Sequence, residues 1–551
     1  MLATDSKRDL LWLSAALLVF FGLCLGLSPY INPSEARLIE IPRQMLASGD
    51  WLTPHVNGVP YFEKPPLFYW VQASMLHVFG MSEWAGRLAN CLMVIATVLL
   101  THATGRMLYS RAAGLLAALV LSTCLMGYAL SRFVTLDVPL TLMVTFSIFW
   151  FIRALKTFER TERRLWYGNM YVASGLAVMS KGMLGLVLPA LIIGSWVLVC
   201  RRWDILSKAR LGAGLLILLA ITAPWHVLMA IEHPQFLNYY FVQEHFNRFV
   251  SDGHKRTMPW WFFIAVGAAG LLPWLCVLPS SLRRMWEKRN ETAWLLMLWA
   301  GLPLLFFSGS HSKLAPYIFP SFPPLAVMMG VYLSQLWKKD NRNLSITVSG
   351  WVLVAVLGSA AFLLPVLDVL PGKAGRILKS GETLLPLLLP LAPATMVLLA
   401  TLIMGKTSRS VIAAIAGLGV VLNLCMNFAV LQLNPTSTKP LAEALSRQLE
   451  ANDLVATYDN YWHDLPVYLN RNVMVVNWLG DLEFGLSHHP PSQQWMLNPD
   501  NFLYVCANNP ASLYVFGNSG DLEKLTSLPN CPLVELARSG PIVLLKKVPA
   551  D

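Results

Sequence analysis

The chain has 551 residues, 55% of them apolar and only 13% charged, with 20 tryptophans. Soluble domains average about 45–50% apolar and about 25% charged, so this composition excludes a soluble globular protein and describes a polytopic membrane protein. The formal charge of +11 brings nucleic acid to mind as a partner, but every second connection between the apolar runs is short and basic, so the charge reads as membrane topology rather than nucleic-acid binding.

The first apolar run, 10–27, is long and lacks a small-residue cleavage site, so an uncleaved first span is expected. After it comes a densely charged stretch, residues 32–66 (NPSEARLIEIPRQMLASGDWLTPHVNGVPYFEKPP). Here Glu35, Glu40, Asp50 and Glu63 are interleaved with Arg37, Arg43, His55, Tyr61 and Lys64. Leu38, Ile39, Ile41 and Met45 recur at helical spacing and leave Arg37, Glu40 and Arg43 to another face. That is the pattern of an amphipathic helix lying along a membrane surface. Asn57-Gly58 marks a turn and Pro65-Pro66 a stop.

Further apolar runs follow at 88–104, 113–128, 138–155, 165–179, 184–199, 211–231, 260–278, 293–307, 315–337, 346–367, 384–404 and 411–433. A bilayer core takes about 20 apolar residues per helix, which gives about thirteen spans, the fifth and sixth being the shortest. Every second connection is short and basic: Arg106 and Arg111; Arg153, Lys156, Arg160, Arg163 and Arg164; Arg201, Arg202, Lys208 and Arg210; Arg283, Arg284, Lys288 and Arg289. Lys338, Lys339 and Arg342, then Lys406 and Arg409, continue the series. This is the positive-inside pattern of cytoplasmic loops. The other loops, and with an odd span count the tail from about residue 434, then face the opposite side.

The outward loops hold nearly all the mixed-charge chemistry. Asp137 stands where a span begins and Lys181 lies between two apolar halves; ionisable groups at such places face a protein interior or a wet cavity. The long loop 232–259 carries Glu244, His245, Arg248, His254, Lys255 and Arg256 among aromatic residues. Glu63 with His245 and His254 offers oxygen and nitrogen ligands to a zinc-like divalent ion, although no HExxH or other tight ligand spacing occurs. Arg37, Lys64, Arg248, Lys313 and Tyr317 are donors suited to a phosphate, the arginine forks above all. No Walker A loop and no GxGxxG after a strand is present, so no nucleotide cofactor is expected, and no GxSxG speaks for a hydrolase.

The tail changes character. KPLAEALSRQLEAND reads as an amphipathic helix, and LVATY, NVMVVNW, FLYVCA, SLYVFG and PIVLLKKV as short strands, together a small α/β domain. Cys506 and Cys531 lie in this tail, where an oxidising compartment would allow them to pair.

The opening stretch closely resembles the first outer loop of multispanning lipid-linked glycosyltransferases, nearest to the bacterial transferases of 4-amino-4-deoxy-L-arabinose to lipid A, kin to the protein O-mannosyltransferases. TLDVPL, MSKG, VQEHFNRF and SKLAPY match further blocks in the same order. The resemblance implies an α-helical polytopic GT-C glycosyltransferase of about thirteen transmembrane helices with a small C-terminal α/β periplasmic domain. Its boundaries would be 1–433 for the transmembrane catalytic part, with outer loops at 28–86 and 232–259, and 434–551 for the tail domain. It implies Asp137 and Glu35 as catalytic residues. Arg37, Tyr61, Lys64, Lys181, Arg248, Lys313 and Tyr317 would surround the carrier phosphate, and Glu63 with a loop histidine would hold a metal. In the family an Asp stands at the position of Ser34; here the pair reads Ser34-Glu35.

The implied donor is a sugar on undecaprenyl phosphate and the implied acceptor a phosphate of lipid A or lipopolysaccharide, at the periplasmic face of the inner membrane among membrane lipids. The product would carry less negative charge, which protects against polymyxin and other cationic peptides. A hydroxyl acceptor profits from a general base, typically by about 10²–10⁴-fold, whereas a phosphate is already ionised and needs only positioning. The loss of the acid at Ser34 therefore fits a phosphate acceptor. Two rivals stand beside this reading: a GT-C transferase of another polyprenyl-linked sugar or acceptor, and a flippase of a lipid-linked sugar. Against the flippase, the charged residues crowd one face and no paired repeat of interrupted helices is visible. An inactive homologue that binds carrier lipid is a third, made conceivable by Ser34.

Overall fold

The computed structural model describes residues 2–247, 258–367, 391–433 and 436–548. The chain forms two compact units: Met1–Leu25, Asn90–Val227 and Leu237–Val430 in the first, and Gly26–Ala89, Leu228–Phe236 and Leu431–Asp551 in the second. The second unit thus takes in the opening stretch as well as the tail.

The first unit is helical. A helix or a pair of helices falls on every one of the apolar runs, from Leu2–Gly22 to Ser408–Leu433. Among the described residues six helices are long and apolar enough to cross a membrane, or eight if each of two bent pairs is one span. The bends lie between Arg111–Thr123 and Leu125–Ser131 (64°) and between Phe262–Gly270 and Leu275–Lys288 (105°). Side-chain and backbone partners from elsewhere in the unit meet the polar groups at the first bend. Asn423 donates to the Thr123 carbonyl (2.9 Å), Trp274 to the Thr123 hydroxyl (2.8 Å), and Leu125 N–H to the Leu272 carbonyl (3.0 Å). In an apolar surrounding such groups have no water to turn to, so a break needs partners of this kind.

Small residues bring helices together. A Cβ on Gly330 would meet the Ala113 carbonyl oxygen at 2.5 Å, so the Phe322–Lys339 helix crosses the Arg111–Thr123 helix nearly backbone to backbone. On the basic connections, cations lie over aromatic rings: Arg289 over Trp286 (4.6 Å), Arg153 over Trp166 (4.8 Å) and Lys288 over Tyr109 (5.6 Å). Amphipathic rings with cationic neighbours are what a membrane–water boundary favours.

In the second unit the Ser34–Ser48 helix ends at Gly49 in the left-handed conformation (φ 74°), the usual C-terminal stop. Its charged face is not laid on a surface as its periodicity predicts: Glu35 and Glu40 are fully buried and Arg43 nearly so. A two-residue hairpin follows, β1 (His55–Val56) against β2 (Val59–Pro60), turned by Asn57 and Gly58 with positive φ. The tail supplies six strands: β3 (Leu454–Tyr458), β4 (Met474–Val476), β5 (Met496–Leu497), β6 (Leu513–Asn518), β7 (Leu533–Ser539) and β8 (Ile542–Lys547). They form one mixed sheet in the order β5-β4-β3-β6-β8-β7. Strands β5, β4, β3 and β6 run parallel, while β8 pairs antiparallel with β6 and β7.

FLYVCA, read as a strand, is instead part of the Pro499–Asn508 helix. The signal for it stands just upstream: Asn498 accepts from Asn501 N–H (2.7 Å) as N-cap, and Pro499 occupies the first helical position. Cys506 on this helix is disulfide-bonded to Cys531, with Cα atoms 5.6 Å apart.

Candidate active site

In the first unit the site grows out of one helical hairpin. Asp137 opens the Asp137–Lys156 helix and Lys181 closes the Arg160–Lys181 helix, with a three-residue link between the two helices. Two antiparallel helices of similar length bring the first residue of one beside the last residue of the other. An acid in a first turn and a cation in a last turn also both suit the helix dipoles. Asp137 and Lys181 form a buried ion pair. The Lys181 ammonium also lies 4.5 Å from the centre of the Tyr317 ring, on the short 3-10 helix Ala315–Ser321. Lys313, just before that helix, is buried and donates to the Met258 carbonyl (3.0 Å). The structure thus joins Asp137, Lys181 and Tyr317 directly, with Lys313 four residues from the tyrosine along the chain.

In the second unit the opening helix spends its charges on the protein itself. Glu35 is gripped by Arg87, Nε to Oε1 and Nη2 to Oε2, both at 2.8 Å, and also accepts Ile31 N–H (3.1 Å). Arg87 in turn donates to the Ser28 and Pro29 carbonyls (2.7 and 3.0 Å), so one buried guanidinium ties the start of the stretch together. Glu40 and Arg43 form a second bidentate pair (2.6 and 2.7 Å), extended by Gln44 and by Asn472 of the tail. Arg37 pairs with Asp481 and lies over the Tyr61 ring (5.4 Å). Ser34, the first helical residue, is exposed.

Around Arg37 the tail adds Tyr461, His463 and Trp478, their rings 4.2 to 5.9 Å apart. Burial, helped by the Arg37 charge, lowers the pKa of His463 well below its ordinary value and so keeps the ring neutral. Burial likewise lowers His55 and His233, with Asp50 pulling His55 the other way.

Glu63 is buried and Lys64 half-buried in this unit. Arg248 and His254 lie outside the described residues, as does the side chain of His245. Among the described residues no three His, Cys, Asp or Glu side chains are grouped as a metal site would group them. Sequence reasoning missed Arg87. The signal was present, since it is an ionisable residue at the edge of an apolar run, the same criterion that singles out Asp137 and Lys181. It also missed Thr135, whose hydroxyl donates to Asp137 (3.0 Å), and Asn90, which donates to the Phe133 and Thr135 carbonyls (2.9 and 3.4 Å); neutral residues in apolar surroundings give no such signal.

Residues 63–228 match the family model of dolichyl-phosphate-mannose-protein mannosyltransferases. The chain is 35% identical over 318 residues to the undecaprenyl phosphate-alpha-4-amino-4-deoxy-L-arabinose arabinosyl transferase 2 of Sodalis glossinidius, covering 57% of this chain and 58% of that one. It is 35% identical over 365 residues to the protein of the same name from Pseudomonas fluorescens, covering 64% and 61%. The alignments therefore span about three fifths of these curated relatives. A crystal structure of ArnT from Cupriavidus metallidurans bound to undecaprenyl phosphate superposes with a TM-score of 0.85 over 98% of both chains at 25% identity. Its apo form gives 0.82 over the same share at 26%. The fold is thus of the GT-C type, mostly helical and membrane-integral with a C-terminal sheet region. Over about three fifths of their length the chain is thus similar to undecaprenyl phosphate–aminoarabinose transferases, and in its fold it is similar to ArnT.

Proposed function

We propose that this protein transfers 4-amino-4-deoxy-L-arabinose, or a related sugar, from undecaprenyl phosphate to a phosphate group of lipid A at the periplasmic face of the inner membrane. The observation that carries this reading is the buried Asp137–Lys181–Tyr317 cluster, set in a fold that matches a carrier-lipid-bound relative over 98% of its length.

The chemistry follows from the charges. An oxygen of the acceptor phosphate attacks the anomeric carbon in line, and the bond from that carbon to the carrier phosphate breaks, inverting the centre. The electron pair leaves with the carrier phosphate, which departs as a dianion. The acceptor is already ionised, so no base is required. What the reaction does require is cationic stabilisation of the leaving phosphate, the kind of preorganised electrostatics that dominates such catalysis. Lys181 and Lys313, with the Tyr317 hydroxyl, would supply it, and Lys64, Tyr61, Arg37 and Arg248 are the remaining phosphate donors of the reading. Asp137 would balance positive charge at the anomeric carbon or on the sugar's amine. Glu35, saturated by Arg87 and Ile31 N–H, would contribute by fixing the start of the Ser34–Ser48 helix rather than by touching substrate.

A zinc-like divalent ion held by Glu63 with His245 and His254 belongs to the same proposal; elemental analysis of purified protein tests it. The topology is proposed as thirteen spans with residues 434–551 as a periplasmic domain. The Cys506–Cys531 disulfide supports an oxidising side for the tail, and the excess of Lys and Arg on every second connection supports a cytoplasmic side for those.

The test is purified protein in lipid nanodiscs with undecaprenyl phosphate–aminoarabinose and lipid A. A lipid A mass increased by one aminoarabinose is expected. No transfer, with carrier binding intact, would overturn the reading.

A further inference from the structure

Resting on that reading of Asp137, we infer that Thr135 and Asn90 are positioning residues for it. Two residues before the Asp137–Lys156 helix, the Thr135 hydroxyl donates to Asp137 Oδ2 (3.0 Å) and accepts Asp137 N–H (3.4 Å). Oδ1, the other oxygen, carries the ion pair to Lys181. The carboxylate is therefore fixed at both ends: the hydroxyl sets its rotation and the ammonium its direction. Thr135 is in turn held from below. Asn90, fully buried, donates through Nδ2 to the carbonyls of Phe133 (2.9 Å) and Thr135 (3.4 Å). One amide thus anchors both ends of the turn that presents the hydroxyl.

The arrangement sorts the two carboxylate oxygens. Without the Thr135 donor, Asp137 is free to turn both oxygens toward Lys181. The acid would then quench the cation instead of leaving its charge for the carrier phosphate, and would present itself to the sugar in a different orientation. Such a misalignment costs turnover far more than binding, because carrier and acceptor still dock. A threonine that only capped the helix would affect the folded fraction and leave the rate per folded molecule alone.

The experiment compares Thr135→Val, which keeps shape and loses the hydroxyl, with Thr135→Ser, which keeps the hydroxyl. Thr135→Val is expected to lower kcat roughly tenfold or more with KM within about twofold, while Thr135→Ser retains most of the rate. In an Asp137→Asn background, Thr135→Val should cost nothing further, since the group it orients is gone. If Asp137→Asn has no rate to measure, the contrast between Val and Ser decides alone. Asn90→Ala should reproduce the kcat loss in part. Equal rates for the Val and Ser variants, or losses that multiply in the double variant, would overturn the inference. Full activity of Asp137→Asn would instead overturn the reading of the site on which the inference rests.

Discussion

Asp137 and Lys181, 44 residues apart, form a buried ion pair because they begin and end one antiparallel helical hairpin. Removing either partner leaves an uncompensated charge in apolar surroundings, which costs about 3–5 kcal/mol, whereas removing both is far milder. Lys181→Met is therefore expected to lower the thermal midpoint more than the Asp137→Asn/Lys181→Met double variant does, while both lose transfer activity. Thermal unfolding in nanodiscs beside a transfer assay checks this; a double variant less stable than the single one contradicts it.

Glu35 and Arg87 predict the opposite division between stability and chemistry. Glu35→Gln should cost about 3–5 kcal/mol of stability through the stranded Arg87, yet the rate per folded molecule should stay within about threefold. Active-site titration by carrier-lipid binding, combined with initial rates, separates the two. A well-folded Glu35→Gln variant without turnover would place Glu35 among the residues that touch substrate.

Ser34 is exposed and opens its helix without bearing charge. Ser34→Ala is expected to leave transfer to a phosphate acceptor within about twofold, because that acceptor needs no base. A loss of tenfold or more, measured with lipid A as acceptor, would give the hydroxyl a direct part in the reaction.

Asp464 makes the second unit pH-dependent. Burial raises its carboxyl from 3.8 to about 6, although Asn32, Thr438 and Ser437 act against the rise. The folded chain thus holds this proton more tightly than the unfolded chain does. Its stabilising contribution is complete below about pH 4 and is lost as pH rises through 6, about 3 kcal/mol across the window. The thermal midpoint should fall between pH 5 and pH 7, and Asp464→Asn, which keeps an acceptor for Ser437 and Thr438, should flatten the slope. A slope unchanged in the variant would assign it to other groups.

The Cys506–Cys531 bond closes a loop of 25 residues, for which loop-closure entropy gives about 3.5 kcal/mol. Cys506→Ser/Cys531→Ser should lower the stability of the tail, and the wild-type pair should resist alkylation until reduced. Labelling of both thiols without reductant would contradict the bond.

What the sequence revealed and what it hid divide along physical lines. The apolar runs announced the helices, because bilayer thickness sets their length, and Asp137 and Lys181 stood out as charges at span ends. The antiparallel hairpin then made their meeting foreseeable. Strands β3, β4, β6 and β8 were visible as short β-branched runs, but the Pro499–Asn508 helix was not, since its aromatic and β-branched interior outweighed the cap at Asn498. Least visible was the use of the charges in residues 32–66. Read alone, Glu40 and Arg43 look like the polar face of a surface helix and Asn57 like a turn residue, because their partners Asn472 and Val473 lie more than 400 residues away and no periodicity links them.

That distance carries a consequence for how the protein is made. Asn57 exchanges two hydrogen bonds with Val473, its amide to the carbonyl (2.7 Å) and the valine N–H to its oxygen (2.9 Å), as a neighbouring strand would. The two residues are separated by 416 positions. At about 5–20 residues per second, the ribosome needs roughly 20–80 s to deliver the second after the first. Throughout that interval Asn57 and the Glu40–Arg43 pair lack their late partners. The last fifth of the polypeptide is thus what finishes the first, and a stop codon late in the reading frame would damage the protein at its beginning.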